Sequence, residues 1–199
     1  MAAEATRRIF FALWPEAAVA RQLHALGGAA HAVCGGRRMR LDTLHMTLAF
    51  LGDVDAARFD AACAAADEIA QKLGAGDTPM LIDRLAHWKH NHIVWAGCDE
   101  APAAVGALAV ELAAALRQRG FQLDSRPFAA HVTLLRNARC GGELPPMAAF
   151  EWPVRDFVLV QSQLDPAGAQ YEIVRRWAAP SRQKPPQGAA SDLCERGGD

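Results

Sequence analysis

Several features are missing from this sequence, and each absence narrows what the chain can be. Its five cysteines, Cys34, Cys63, Cys98, Cys140 and Cys194, are odd in number and show no C-x-x-C spacing. Neither a disulfide framework nor a zinc ribbon is therefore expected. They read as small buried or incidental thiols of a reducing compartment. No apolar stretch approaches the roughly 20 uncharged residues of a membrane span. No apolar core of a secretory leader appears near Met1, so a cytoplasmic location is expected. Neither sign of charge dominates: 21 Lys and Arg stand against 22 Asp and Glu, for a formal net charge of −1. Such a chain has no global positive field to draw in nucleic acid. Any such contact must come from local clusters, of which Arg37, Arg38 and Arg40 form one and Arg126, Arg136 and Arg139 another. Taken alone, a run such as Arg37-Arg38 is ordinarily a solvated loop.

What is present is a globular composition with a repeated motif. Half the residues are apolar and 22% are charged across 199 residues, which suits one domain or two small lobes sharing a core. His45-Met46-Thr47-Leu48 and His131-Val132-Thr133-Leu134 are two copies of one pattern, each in an apolar run of strand character. Side chains alternate faces along a strand, so the His and Thr of each copy point the same way. A single His-x-Thr is ordinarily just two polar residues on one strand face. Two copies brought face to face give two imidazoles and two hydroxyls, a set suited to acid–base work on a phosphate ester.

The flanks extend the pattern. Leu44–Gly52 reads LHMTLAFLG and Arg126–Arg136 reads RPFAAHVTLLR. Together they resemble the 2H phosphoesterase superfamily, named for paired His-x-Thr/Ser motifs. Within it the chain is most similar to the LigT-like branch, bacterial RNA 2′,3′-cyclic phosphodiesterases once called 2′-5′ RNA ligases. Arg8–Leu13 resembles the first strand of that branch, Arg84–Gly97 its central hairpin and Tyr171–Trp177 its last strand, so the likeness covers about residues 7–178. One departure is Ala130, where the branch commonly has proline before the second histidine. This costs no functional group.

The coarse element pattern is consistent with this. A strand is expected over 7–13, and a helix from Pro15 to about Leu26, ending at Gly27-Gly28. The first motif strand spans 44–51. A helix capped by Asp53 or Asp55 follows over 56–73, then a hairpin over 80–85 and 92–95, and a helix from Pro102 to Gln118 stopped by Gly120. Strands follow over 130–135, 155–163 and 171–177. Short connections between paired strands favour antiparallel sheets, so the expected class is α+β. With one motif in each half, 86 residues apart, a duplicated bilobal fold is the simplest way to unite them: antiparallel sheets lining a central cleft, helices outside. The resemblance implies the same. Residues 1–179 are read as that single domain and 180–199, rich in Pro, Gly, Ser and charge, as a disordered tail.

Hydrolysis of a 2′,3′-cyclic phosphate needs water deprotonated on one side of phosphorus and a ribose oxygen protonated on the other. His45 and His131 can do both. Thr47 and Thr133 can donate to the non-bridging oxygens. Arg136 lies where the LigT-like branch has a phosphate-binding arginine, yet strict alternation points it away from His131. It reaches the site only if the strand ends or bends near Leu135. No metal or other cofactor is required. His87, His90 and His92 are the competing metal signal, but they lack a Cys or carboxylate ligand and Lys89 lies among them, so surface histidines are the plainer reading. Phe11, Trp14 and Trp88 are candidates to stack a base, with core packing favoured for each singly. The partners expected are RNA with 2′,3′-cyclic phosphate ends or small cyclic nucleotides, for a monomer that meets no membrane. The resemblance implies a 2′-phosphate product, with O3′ leaving, and a minor reverse 2′-5′ ligation. His45 is assigned as the acid beside O3′ and His131 as the base, though the near-identical motifs leave the opposite assignment open. A small-nucleotide enzyme acting on a substrate such as an ADP-ribose cyclic phosphate, and a non-catalytic RNA-end binding module, are the alternatives.

Overall fold

Arg7–Leu13 (β1) buries five consecutive side chains, Ile9 to Leu13, as a strand covered on both faces does. In chain order it is followed by α1 (Ala17–Cys34), β2 (Arg37–Arg38), a 3₁₀ turn (Leu41–Thr43), β3 (Met46–Val54), α2 (Ala56–Ala70), β4 (Thr78–Ile82), β5 (Arg84–Trp88) and β6 (Ile93–Gly97). Then come α3 (Ala103–Gln118), β7 (His131–Arg136), β8 (Phe150–Val154), β9 (Asp156–Asp165) and β10 (Gly168–Ala178). The computed structural model describes residues 6–71, 78–165 and 168–178. The expected tail over 180–199 lies outside them.

Every pairing is antiparallel. One sheet runs β10-β9-β1-β3-β7-β6-β5 with β2 also on β7, and β4 and β8 form a separate ribbon. Among the described residues three α-helices accompany antiparallel sheets, so the α+β class holds. The two motif strands, β3 and β7, are neighbours near the middle of the large sheet. They join at Met46 opposite Val132. The helices cross over between the halves: α1 packs on β7 and α3 on β3. Each motif strand is thus backed by the helix of the other half.

Three departures from the expected elements have clear causes. Helix α1 does not stop at Gly27-Gly28. It passes through them because packing on β7 holds the helix, with Gly27 buried beside Leu134, and glycine inside a helix costs only about 1 kcal/mol relative to alanine. The hairpin expected to begin at Met80 is instead formed by β5 and β6, while β4 turns away to pair with β8. The reading of all five cysteines as unpaired thiols is also overturned, since Cys34 and Cys140 form a disulfide. Their 106-residue separation hides the pair in the sequence. It closes because the end of α1 meets the segment after β7, where Arg139 N donates to the Cys34 carbonyl at 2.8 Å. Cys63 and Cys98 are free and buried.

Closing so long a loop restricts the unfolded chain, typically by about 2–4 kcal/mol. Reduction is expected to lower the urea midpoint accordingly, with no such change in a Cys34→Ser variant. Equal midpoints for the oxidised and reduced wild-type chain would show that the pair contributes no stability.

Candidate functional site

The site follows from the join between β3 and β7. Met46 and Val132 hold the same place in the two motif copies, and both are fully buried on the core face. An antiparallel pair centred there relates the copies by a local two-fold axis. Continuing the register sets Thr47 across from His131 and His45 across from Thr133. These four residues are half-buried and line one cavity of about 940 Å³ with Arg136 and Trp88.

Both histidines are held alike. His45 Nδ1 donates to the Thr43 carbonyl at 2.7 Å, and His131 Nδ1 to the Ala129 carbonyl at 2.9 Å. A carbonyl can only accept, so Nδ1 carries the proton in each neutral ring and Nε2 keeps a free lone pair. Each carbonyl belongs to the residue two before its histidine. Each ring also leans on a tryptophan: Trp14 stacks on His45 at 5.5 Å, and Trp88 meets His131 edge-on at 4.6 Å. Phe10 and Tyr171 complete the wall around His45, at 4.8 and 5.3 Å. Gly97 allows β6 to approach β7 beside His131, because a Cβ there would lie 2.0 Å from the Ala130 carbonyl oxygen.

Arg136 also faces this cavity, and a bulge is the reason. Along β6 the partners of Val94 and Trp95 are Leu135 and Thr133, so Leu134 is an extra residue in β7. Leu134 and Leu135 are consequently both buried, alternation slips by one, and Arg136 returns to the face of His131. The same slip occurs in the first copy. Phe11 and Ala12 pair with Ala49 and Thr47, leaving Leu48 extra, and Leu48 and Ala49 are both buried. The Leu of each His-x-Thr-Leu is therefore a bulge residue. The slip brings Phe50, the first-copy counterpart of Arg136, onto the cavity wall, half exposed under the Arg8 guanidinium at 5.5 Å.

The electrostatics are set mainly by burial. Desolvation lowers the His45 pKa to about 4, with the Thr43 hydrogen bond opposing and the charges of Arg136 and His131 adding to the fall. His131 is lowered for the same first reason, opposed by its bond to Ala129 and reinforced by Arg136 and Arg126. Two imidazoles held toward the neutral form thus face a cationic guanidinium, an arrangement able to take an anion and two proton transfers.

The remaining candidates fall elsewhere. Phe11 is a core residue against Phe157 and Trp177. His87 lies on β5, with its Nε2 buried and without a hydrogen-bond partner among the described residues. His90 and His92 are in the turn that follows, and no three His, Cys, Asp or Glu among the described residues come together as a metal cage. No helix among the described residues is long and apolar enough to cross a membrane. The anchoring carbonyls of Thr43 and Ala129 were not foreseen, since a backbone acceptor leaves no mark in residue type.

Comparison with known proteins follows the same line. Residues 13–95 match the family described as LigT like Phosphoesterase. The chain is 32% identical over 174 residues to the RNA 2′,3′-cyclic phosphodiesterase of Escherichia coli (strain K12), covering 86% of this chain and 96% of the relative. Among solved structures, it superposes on E. coli LigT complexed with 3′-AMP with a TM-score of 0.77 at 28% identity, over 90% of this chain and all of the other. The E. coli LigT complex with ATP superposes with a TM-score of 0.73 at 28% identity, over the same 90% of this chain and all of the other.

Proposed function

Because the chain belongs to the LigT-like phosphoesterase family, we propose that it is an RNA 2′,3′-cyclic phosphodiesterase that opens the terminal ring to a 2′-phosphate without a metal. The observation that carries this reading is the pair of imidazoles, one from each motif copy, each anchored at Nδ1 and lining one cavity with Arg136. A cyclic phosphodiester opens by in-line attack, so base and acid belong on opposite sides of phosphorus. In this scheme His131 Nε2 takes a proton from the attacking water, and His45 Nε2 gives one to the departing O3′. Thr47 and Thr133 donate to the non-bridging oxygens, and Arg136 balances their charge with a guanidinium fork. The catalytic unit is a single bilobal domain over residues 1–179, with the two halves of the large sheet as lobes and the cleft between them. Minor 2′-5′ ligation is the same ring opening with an RNA 5′-hydroxyl, rather than water, attacking phosphorus and O3′ leaving as before.

The direct test is turnover of a short RNA ending in a 2′,3′-cyclic phosphate, in EDTA, with phosphorus NMR of the product. A 2′-phosphate is expected. A dominant 3′-phosphate would overturn the choice of leaving oxygen, and recovery of activity only with added zinc or manganese would overturn metal-free hydrolysis. E. coli LigT has been solved with ATP, a mononucleotide, and a small cyclic nucleotide is kept as the second reading on that ground. Faster turnover of the mononucleotide than of the RNA would favour it, and binding without turnover of either would favour a non-catalytic module.

A pH prediction follows from the free-site electrostatics. One imidazole must be neutral and the other charged. Burial holds both below the ordinary histidine value of 6.5, so in the free protein that mixed state falls at acid pH. A bound phosphate anion favours imidazolium and raises both values. The bell in kcat/KM, which reports the free enzyme, is expected to centre below pH 6.5, and the bell in kcat to centre higher. A kcat/KM bell at or above pH 7 would count against two desolvated imidazoles.

A further inference from the structure

A second cavity, of about 420 Å³, opens beside the first and shares Met39, Thr43 and Arg136 with it. Its wall also carries Arg37, Arg38, Arg40 and Tyr171 and, among the described residues, no carboxylate. Four guanidiniums in one small cavity depart sharply from a chain with a net charge of −1. They are not equally tied. Arg40 is paired to Asp42 at 3.1 Å and donates to the Ala169 carbonyl, and Arg38 donates to His24. Arg37 and Arg136 face one another across the β2–β7 ladder, and neither has an ion-pair or hydrogen-bond partner for its guanidinium among the described residues. Like charges directly opposite on neighbouring strands destabilise the pair. The backbone nevertheless enforces this one. Gly36, at φ 83°, brings β2 so close that a Cβ would lie 2.6 Å from the Arg136 carbonyl oxygen. Two unneutralised cations locked side by side at the mouth of a phosphate-handling site are a ready seat for an anion.

We propose that this annex binds the phosphodiester one nucleotide upstream of the terminal phosphate, so that Arg37 and its neighbours make the protein select polynucleotide ends over mononucleotides. This rests on the reading above that the terminal phosphate lies between His45 and His131. Arg136, common to both cavities, spans the two phosphates. Arg38 and Arg40, already braced by protein partners, shape the annex wall, and Arg37 supplies the uncommitted charge.

The test is calorimetric binding to the full chain of two ring-opened probes, a tetranucleotide ending in a 2′-phosphate and a nucleoside 2′-phosphate. Arg37→Ala, which removes the charge without setting a carboxylate against Arg136, is expected to weaken the tetranucleotide about tenfold while changing the mononucleotide less than twofold. The slope of log K against log salt for the tetranucleotide should fall by about 0.7 in the same variant, the value for one single-strand phosphate contact. Equal weakening of both probes, or of neither, would overturn the annex. Inorganic pyrophosphate is the third arm. If it binds as tightly as the tetranucleotide and is weakened equally in Arg37→Ala, the annex takes free phosphate rather than a polynucleotide backbone, and the proposal fails. Because neither probe carries the reactive ring, length-dependent binding lost in Arg37→Ala supports the annex even if the cyclic substrate proves not to be hydrolysed.

Discussion

Alanine at either His45 or His131 is expected to lower kcat on a cyclic-phosphate RNA by at least about 10²-fold, the scale of a general acid or base. The double variant should lose little more than the worse single one, because groups that act on one transition state act as a unit. The two losses should differ in character. A substrate with an activated leaving group at the 3′ position needs little protonation there, so it should restore His45→Ala and leave His131→Ala impaired. Rescue of His131→Ala instead would exchange the two roles. Near-normal turnover by either alanine variant would remove that histidine from the mechanism. Both rings are desolvated, so truncation leaves a hollow beside Trp14 or Trp88. A glutamine at the same site fills much of that space without titrating, and it should be as inactive as alanine while holding the melting temperature closer to wild type.

The second large effect concerns Arg136. Its alanine variant is expected to fall about 10²-fold in kcat, as when a transition-state donor is removed. Lysine should recover only part of this, since an ammonium cannot reproduce a two-pronged guanidinium contact. Arg136 is exposed and bonds to no side chain among the described residues, so neither change should disturb folding, and urea midpoints can verify this. Wild-type kinetics for Arg136→Lys would mean that the fork is not used. Both outcomes depend on the bulge at Leu134, without which Arg136 would face away from His131.

That bulge marks the limit of what could be read from residues alone. His45, Thr47, His131 and Thr133 were legible because period-two alternation is local: two polar residues two apart share a face whatever the strand pairs with. The orientation of Arg136 was not, because an extra residue in β7 exists only relative to the register of β6, and Leu134 looks like any apolar strand residue. Helix α1 misled at Gly27-Gly28, where packing on β7 overrides the weak helix preference of glycine. The strand over 7–13, the strand read as 130–135 and found at 131–136, and the helix ending at Gln118 were plain from apolar pattern and end signals. The pairing of β4 with β8 and the bond between Cys34 and Cys140 were hidden because each joins segments far apart in the chain.

The local two-fold between the motif strands has one more consequence. A site with that symmetry has no front or back: matched histidines, threonines, anchoring carbonyls and bulges would accept a phosphodiester equally well in either direction. Ring opening, however, has a direction, since one ribose oxygen leaves and the other stays. That polarity has to come from the places where the two copies differ. On the cavity wall they differ five residues after each histidine, where one copy sets an aromatic ring, Phe50, and the other a cation, Arg136. On the proposed function, the duplicated half of the site would supply the chemistry, and this mismatched pair, Phe50 against Arg136, would tell the substrate which way round to lie.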